Sequence, residues 1–402
     1  MLKASKSARL SLAALLLSLS SISAMWSVAL KGQSLDSLVG HARIYSLHQL
    51  QRSSALMNDS PLYVRSTTPD GHWKPVASSD WTSGFYPGCL WKIYELTNDA
   101  SMRESAEKLT LGLSDQQFNT RTHDVGFIMF TSFGNGFRFV PSENYRKILL
   151  QSARSLATRF NARVGCIRSW DRRKWPFPVI IDNMMNLELL FWAARNGGGE
   201  LYYTIAKSHA LKTMENHVRQ DGSTFHVVSY DSASGSVLAK ETHQGFSDES
   251  VWARGQAWAI YGFTVAYRET KDKRFLETAE KAADYFISRL PVDHVPYWDF
   301  MAPGIPNAPK DVSAAAIAAS GLLELKTFVT EKERRESYSA AAENILEALC
   351  RTPYLSEGTS SDGILNHAVG NYPANTEVDV SLIYADYYFL EALVRYTRGV
   401  PQ

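Results

Sequence analysis

Cysteine, net charge and long apolar runs are all scarce in this sequence, and each shortage excludes a class of protein. The 402 residues include three scattered cysteines, Cys89, Cys166 and Cys350, which do not suit a disulfide framework or a zinc cluster. We expect them to be small buried side chains. Lys and Arg total 42 against 41 Asp and Glu, without a basic tract, so a nucleic-acid partner is not expected.

The N-terminal residues have the pattern of a secretory signal peptide. Basic residues precede an apolar run over 10–19, and small residues follow as far as Ala24. This run is too short to span a bilayer, and no later stretch is long and apolar enough, so a membrane anchor is not expected. The sequence therefore predicts a signal peptide over 1–24 and an exported, periplasmic protein with a single domain over 25–402.

Apolar and aromatic residues are plentiful, at 45% and 12% of the chain, and their spacing predicts an all-α fold. Convincing strand patterns are few. The helices are predicted at about 35–52, 82–98, 101–118, 125–134, 142–161, 183–196, 201–218, 250–270, 274–289, 312–329, 332–350 and 378–398. Ser101 with Glu104 has the pattern of a capping box, and Ser142 is a second predicted helix start.

The predicted helices alternate in character along the chain. Every second one is rich in aromatic or small residues with few charges, and the helices between carry Lys, Glu and Arg at surface spacing. Six hairpins of a buried inner and a solvated outer helix would close into an (α/α)6 barrel. The long loops precede the inner helices, so a site is expected at that end. These loops are 53–81, 162–182, 219–249, 290–311 and 351–377.

Two aspartates immediately precede inner helices. Asp182 follows an apolar run and begins a helix that has almost no polar face, and Asn183 and Asn186 add polar groups at the same end. Asp124 occupies a matching place about sixty residues earlier. An Asp in such a position ordinarily caps its helix. Two acids brought to one end of a buried core are also typical of a catalytic pair.

Five motifs, each at the start of an inner helix or in a long loop, resemble those of a known family. They are Asp80-Trp-Thr-Ser-Gly-Phe-Tyr-Pro-Gly88, His123-Asp-Val-Gly-Phe127, Asp182-Asn-Met-Met-Asn-Leu187, His243-Gln-Gly245 and Trp252-Ala-Arg-Gly-Gln-Ala-Trp258. The chain resembles the unsaturated glucuronyl hydrolases of glycoside hydrolase family 88, which are (α/α)6 barrels. The resemblance implies removal of a 4,5-unsaturated uronic acid from the non-reducing end of lyase-generated, glycosaminoglycan-type oligosaccharides, by hydration of the C4=C5 enol ether.

The resemblance also implies roles for the two acids. Asp182 matches the general acid and base, and Asp124 matches the second essential acid, which holds the substrate or influences Asp182. To protonate an alkene Asp182 must itself be protonated, so burial and a like-charged neighbour should raise its pKa. The positive N-terminal end of its helix should instead lower the pKa of Asp182.

The resemblance implies that seven further residues bind the sugar: Trp81, Phe85, Trp170, His226, Gln244, Arg254 and Trp258. The aromatic rings would stack on the sugar, and Gln244 and Arg254 would donate hydrogen bonds to hydroxyls or to the carboxylate. Each has an ordinary alternative, which is core packing for the aromatic residues and an ion pair with Glu249 or Asp248 for Arg254. No metal or cofactor is expected, because no His pair at helical spacing stands beside an acid.

Three other functions compete with this interpretation. The first is the unsaturated rhamnogalacturonyl hydrolase family, which has a similar barrel and the same alkene chemistry. The second is a sugar epimerase, whose acid and base would be histidines. The third is a noncatalytic glycan-binding protein, which needs the aromatic rings but not Asp182 and Asp124.

The parent polysaccharide and the oligomeric state stay open at this stage. The 351–377 loop has no Lys or Arg between Arg351 and Glu377, which disfavours a strong sulfate clamp there. We therefore expect unsulfated or lightly sulfated disaccharides to be the better substrates.

Overall fold

The fold is described from a computed structural model, which covers residues 33–57, 62–171 and 174–400. The predicted signal peptide lies outside these ranges. Within them, no helix combines the length and the apolar character that a membrane crossing requires.

The described residues form thirteen α-helices, numbered here in chain order. They are α1 Leu35–Met57, α2 Phe85–Thr97, α3 Ala100–Leu111, α4 Val125–Met129, α5 Asn135–Phe139, α6 Glu143–Ala157, α7 Asn183–Ala193, α8 Glu200–His217, α9 Ala253–Thr270, α10 Lys273–Ser288, α11 Val312–Leu325, α12 Lys332–Leu349 and α13 Ile383–Arg398. A π-helical turn over Phe130–Gly134 joins α4 to α5, so these three segments act as one inner element.

The inner elements pack against one another in a closed ring. Going round the ring, α2 contacts the 125–139 element, followed by α7, α9, α11 and α13, which returns to α2. The remaining helices lie outside: α3 packs on α2, α6 on α4 and α7, α8 on α7, α10 on α9, and α12 on α11 and α1. The predicted (α/α)6 barrel is confirmed, with its alternation of buried and solvated helices.

Composition explains which helices are inside. All of α11 is buried, because Ala, Ser, Gly, Ile and Leu leave it no polar face and its small side chains allow close packing in the ring. The outer helix α10 buries one stripe at helical spacing, from Phe275 to Phe286, and exposes its charged face.

Some predicted helix ends were wrong. The capping box of Ser101 and Glu104 does not form, because Asp99 caps α3 and accepts the backbone N–H groups of Ser101 and Met102. The predicted 101–118 helix is α3 followed by a separate 3₁₀ turn over Ser114–Phe118. The start at Ser142 is confirmed, since its side chain accepts the backbone N–H of Tyr145.

Nine short strands lie in the long loops, as far as the described ranges extend. They are β1 Tyr63–Thr67, β2 Trp73–Val76, β3 Phe160–Asn161, β4 Cys166–Ile167, β5 Pro178–Ile180, β6 Val227–Tyr230, β7 Val237–Glu241, β8 Ala368–Asn371 and β9 Thr376–Val380. All pairs are antiparallel, in the sheets β1-β2, β3-β4, β5-β6-β7 and β8-β9. The start predicted for the last helix, at 378, is wrong because β9 occupies that segment.

The three-stranded sheet positions two side chains of the site. Ile180 of β5 pairs with Val227 of β6, and the backbone N–H of Ile181 donates to the carbonyl of His226 at 3.0 Å. The residue that follows β5 and Ile181, Asp182, therefore lies beside the residue that precedes β6, His226. All three cysteines are buried and free, as predicted.

Candidate active site

A cavity of about 210 Å³ lies at the end of the barrel where the long loops meet the N-terminal ends of the inner helices. It is lined by Arg65, Trp81, His123, Asp124, Phe127, Trp170, Ile180, Asp182, His243, Gln244, Arg254, Gly370, Asn371, Thr376, Glu377 and Tyr384. Six of the nine residues expected from the sequence are among them, including both aspartates. This cavity is therefore at the end of the barrel where the sequence predicts the active site.

Asp182 lies on the cavity and has a carboxyl oxygen that is removed from water. Its side chain does not cap α7, and Oδ2 is buried without a hydrogen-bond partner among the described residues. Burial raises the pKa of Asp182 to about 7, and nearby Asp124 raises it as well, while Arg254 acts in the opposite direction. A substantial fraction of this carboxyl is therefore protonated at neutral pH.

Asp124 lies on the same cavity and also does not act as a helix cap. Its Oδ2 accepts a hydrogen bond from the Thr122 hydroxyl at 2.5 Å. Its Oδ1 is 3.2 Å from Nε2 of His123, a fully buried ring. The helix-capping alternative is thus wrong for both acids, since neither side chain bonds to the first turn that follows it.

His226 was expected to bind the sugar, but it does not line the cavity and lies beside Asp182 instead. Its ring is buried, and its Nδ1 accepts the backbone N–H groups of His243 and Gln244, each at 3.2 Å. Two donors at Nδ1 place the ring proton on Nε2, which is 3.7 Å from Oδ2 of Asp182. The ring packs against Trp252 at a centroid distance of 4.5 Å, which fixes its plane.

Arg254 is buried at the cavity wall, and both of its terminal nitrogens donate hydrogen bonds. It forms an ion pair with Asp311 at 2.8 Å and donates to the carbonyls of Val369 and Gly370 at 2.6 and 2.7 Å. Gln244 donates to the Gly370 carbonyl too, at 2.9 Å. The alternative partners Glu249 and Asp248 are wrong for Arg254, which instead ties the β8-β9 hairpin to the barrel.

Two of the expected sugar-binding aromatic residues are misplaced. Phe85 is completely buried among other rings, Trp81 and Phe127 included, so the expectation that it stacks on a sugar is wrong. Trp258 is 1% exposed and does not line the cavity, so its expected stacking is also wrong. Its indole instead lowers the pKa of the Asp182 carboxyl. Trp81 and Trp170 remain as the indole rings on the wall.

The sequence reasoning missed an ion-pair cluster at the wall. Arg65 of β1 makes a bidentate pair with Glu377 of β9, at 2.7 and 3.0 Å, and contacts Asp80 at 3.2 Å. Arg65 and Glu377 are 312 positions apart, so no local spacing could have connected them. Tyr384, at the start of α13, was missed for the same reason. No cluster of three or more metal-ligating side chains occurs in the described ranges.

Comparison with known proteins shows extensive similarity. The sequence profile described as Glycosyl Hydrolase Family 88 matches residues 53–398. An unsaturated glucuronyl hydrolase of Formosa agariphila is 49% identical over 326 residues, which is 80% of each chain. One of Bacillus sp. strain GL1 is 37% identical over 341 residues, covering 82% of this chain and 90% of the relative. The crystal structure of an unsaturated glucuronyl hydrolase specific for heparin is 44% identical, with a TM-score of 0.87 over 90% of this chain and 97% of that one.

Proposed function

The chain belongs to Glycosyl Hydrolase Family 88, and we propose that it removes a 4,5-unsaturated uronic acid from the non-reducing end of a lyase-generated oligosaccharide. One observation carries this proposal. A buried acid with a pKa raised to about 7, Asp182, lies on a sugar-sized cavity beside a second acid, Asp124. A carboxyl that is still protonated at neutral pH can deliver a proton to an alkene.

The reaction proceeds by hydration. The protonated carboxyl of Asp182 gives its proton to C4, and the ring oxygen stabilises the positive charge that develops at C5. The Asp182 carboxylate then takes a proton from water as the hydroxyl adds to C5. The resulting hemiketal opens as the bond between C5 and the ring oxygen breaks: the C5 hydroxyl becomes a ketone, and its proton goes to the former ring oxygen, now a hydroxyl on C1. The C1–O bond to the neighbouring sugar then breaks, C1 becomes an aldehyde, and the proton of its hydroxyl goes to the leaving oxygen. One water molecule is consumed, and Asp182 ends in its starting protonation state.

The other wall residues bind and orient the sugar in this proposal. Trp81 and Trp170 offer indole faces to the ring, and Gln244 stands beside them at the wall. Arg254 is close enough to Asp182 to influence its pKa, so its positive charge also attracts the conjugated carboxylate of the substrate. His226 would influence that carboxyl through its Nε2, which lies 3.7 Å from Oδ2 of Asp182.

The test follows the ultraviolet absorbance of the conjugated double bond with unsaturated chondroitin and hyaluronan disaccharides. We expect the absorbance to fall with the wild type and not with Asp182→Asn. Asp386→Asn is the matched control, because Asp386 is another buried aspartate with a pKa raised to about 7 by burial and does not line the cavity. If Asp182→Asn turned over as fast as Asp386→Asn, the role given to Asp182 would be wrong.

The same assay separates the competing functions. Turnover of an unsaturated rhamnogalacturonan disaccharide alone would favour the related hydrolase family. Binding of disaccharides by both wild type and Asp182→Asn, without turnover by either, would indicate a glycan-binding protein. A sugar epimerase would leave the double bond intact while changing the configuration of a saturated sugar.

Preference for unsulfated or lightly sulfated disaccharides is part of the proposal. Of the Lys and Arg side chains in the described ranges, Arg65 and Arg254 line the cavity, and Glu377 and Asp311 pair with them. Arg65 is thus paired, and Arg254 is assigned to the carboxylate of the uronic acid, so neither cation is left over for a sulfate group. We expect a higher kcat/KM for the unsulfated chondroitin disaccharide than for its 6-sulfated form, and the reverse order would contradict this preference.

We also propose that the protein is exported to the periplasm, on the basis of the charged, apolar and small-residue pattern over 1–24. The test compares the full chain with a chain lacking 2–24, each expressed in a Gram-negative bacterium. The full chain should be found in the periplasmic fraction with a new N-terminus close to Ala24, and the shortened chain should stay in the cytoplasm. An intact N-terminus in the cytoplasmic fraction would contradict export.

A further inference from the structure

The guanidinium of Arg254 is held by acceptors at the start of α11 and in β8. Its Nη1 atom donates to Oδ2 of Asp311 at 2.8 Å, to Oγ of Ser313 at 3.2 Å and to the Val369 carbonyl at 2.6 Å. Its Nη2 atom donates to the Gly370 carbonyl at 2.7 Å. Asp311 is the acid in this set, so it supplies the negative charge that pairs with the guanidinium.

Two aromatic rings also contact the guanidinium. Its central carbon lies 4.4 Å from the ring centroid of Trp252 and 5.3 Å from that of Tyr384, within the range of a cation–π attraction. Arg254 and Tyr384 both line the cavity, and Arg254 is close enough to Asp182 to lower its pKa. A displacement of the guanidinium would therefore move the positive charge that the bound sugar meets.

Asp311 uses its two carboxylate oxygens for different partners. The residue is completely buried and does not line the cavity. Its Oδ1 caps α11, where it accepts the backbone N–H and the hydroxyl of Ser313 at 3.0 and 2.6 Å. The same oxygen accepts the backbone N–H of Val369 at 3.3 Å. The cap thus needs one oxygen, and Oδ2 is available for Arg254.

We propose that Asp311 is a positioning residue, which orients the Arg254 guanidinium toward the carboxylate of the unsaturated sugar. This inference rests on the proposed function, in which Arg254 attracts that carboxylate, and it adds a residue that does not touch the sugar. Arginine has many rotamers, and ordering one such side chain during binding weakens affinity about 3- to 10-fold. Asp311 orders the side chain in the free protein, so binding does not incur this loss.

The Asp311–Arg254 pair also holds the start of the β8-β9 hairpin. Asp311 accepts the backbone N–H of Val369, and Arg254 donates to the carbonyls of Val369 and Gly370, of which Gly370 lines the cavity. A test must therefore separate a misdirected guanidinium from a displaced wall. A displaced wall would weaken every sugar alike, whereas a misdirected guanidinium weakens only a sugar that carries the carboxylate.

The first experiment compares the unsaturated chondroitin disaccharide with its methyl ester, in which the conjugated carboxyl is neutral. Asp311→Asn has one side-chain oxygen for two sets of donors, and with that oxygen at the cap its amide nitrogen faces Arg254, donor against donor. We expect the ratio of kcat/KM for the acid to that for the ester to fall about 3- to 10-fold, through a higher KM of the acid. Arg254→Gln removes the charge and gives the lower limit of this ratio.

Asp99→Asn is the matched control. Asp99 caps α3 in the same way, since its Oδ1 accepts the backbone N–H and the hydroxyl of the serine two residues on, and it does not line the cavity. Its ratio should equal that of the wild type. Ser313→Ala is a milder variant, which removes one acceptor of Arg254 but keeps the backbone N–H at the cap, and its ratio should lie between those of wild type and Asp311→Asn.

Two results would overturn the proposal. One is a wild-type ratio in folded Asp311→Asn, or in Ser313→Ala should Asp311→Asn fail to fold. The other is a lower KM of the acid in either variant, which would mean that Asp311 competes with the sugar for Arg254 instead of orienting it.

A second measurement needs no turnover. Calorimetric titration of Asp182→Asn gives the Kd of the acid and of the ester, and adding Asp311→Asn should raise the Kd of the acid about 3- to 10-fold while leaving that of the ester nearly unchanged. This shift in a protein that hydrates no unsaturated disaccharide would support the role of Asp311 and refute the proposed function. Turnover by the wild type together with an unshifted preference for the acid would contradict the role of Asp311 alone.

Discussion

Two buried aspartates of this protein have their pKa raised to about 7, and only one of them lines a cavity. Asp386 on α13 accepts the backbone N–H groups of Ile364 and Leu365, which gives its oxygens fixed partners inside the barrel. Asp182 has an Oδ2 atom without a partner in the described ranges, next to space that a sugar can fill. Burial alone therefore does not identify the acid, and access to the cavity does.

The raised pKa of Asp182 makes it a destabilising group when it is ionised. Its folded-state pKa of about 7 lies above the model value of 3.8, so the folded protein binds this proton more tightly than the unfolded chain does. Its contribution to stability therefore falls as the pH rises from about 4 to about 7. Asp182→Asn should be more stable than the wild type at pH 8, by at most about 4 kcal/mol.

Urea unfolding of both proteins from pH 4 to pH 8 tests this prediction. Their difference in unfolding free energy should be smallest at the acid end and grow with pH. Asp386 is present in both proteins, so its ionisation cancels in this difference. A difference that does not vary with pH would show that Asp182 ionises in the folded protein as it does in water.

At the scale of elements, the two acids immediately precede α4 and α7, and glycines of α4 and α9 allow both helices to approach α7 closely. Gly126 is close to Asn186, and Gly262 of α9 similarly meets Met184 of α7, where an added Cβ would lie 2.4 Å from the Met184 Cβ. We expect Gly126→Ala and Gly262→Ala each to cost about 1–3 kcal/mol of stability, because the helices must move apart.

Both contacts lie on the first turn of α7, which Asp182 immediately precedes. We expect kcat of each variant to fall further than its unfolded fraction explains, because Asp182 moves with the start of this helix. Urea unfolding gives the unfolded fraction, and the absorbance assay gives kcat. An unchanged kcat in both folded variants would show that the position of Asp182 does not depend on these contacts.

The elements differ in how well the sequence predicts them. The inner helices were predicted because they are apolar all round, and apolar residues at such density have few alternatives to a buried helix. The short strands of the loops were missed because two to five residues carry too little alternation to be recognised. The start of α13 was placed too early for the same reason, since Val378 and Val380 of this short strand come just before the apolar residues that begin the helix.

Side chains of the site were predictable only where a local motif carried them. Asp124 and Asp182 stand at helix starts within motifs, and the structure places both on the cavity. Arg65 and Glu377 meet only after the barrel closes, so their pairing depends on tertiary structure alone. Phe85 was assigned by its position one turn after Trp81, but the turn before α2 directs the two rings differently: Trp81 lines the cavity, and Phe85 packs into the core.

For the molecule as a whole, the two ends of the barrel are chemically distinct. The N-terminal ends of the inner helices surround the active-site cavity, and their partial positive charges favour the anionic sugar of the proposed function. The C-terminal ends surround a larger cavity of about 910 Å³. The buried charges there pair with one another: Lys92 with Glu391, and Arg395 with Glu324 and Glu391. This network lies at the end of the barrel opposite the two aspartates of the active-site cavity.

Glu391 is at the centre of that network and should matter for stability alone. Burial raises its pKa, but Arg395 and Lys92 outweigh burial and hold the pKa at about 2. The stabilisation is therefore complete above the ordinary value of 4.5 and is lost as the pH falls toward 2. Glu391→Gln leaves two buried cations short of a partner, so we expect a loss of about 3–5 kcal/mol at pH 7 with kcat/KM unchanged.

Urea unfolding at pH 7 measures this loss, and Glu336→Gln is the control. Glu336 is exposed and pairs with Lys332 at 3.7 Å, so the same chemical change there should alter stability by no more than about 0.5 kcal/mol. Because Glu391 lies at the end of the barrel away from the active-site cavity, a matching fall in kcat/KM of the folded protein would mean that the network also shapes the active site. Stability lost without activity would show that the two ends of the barrel work independently.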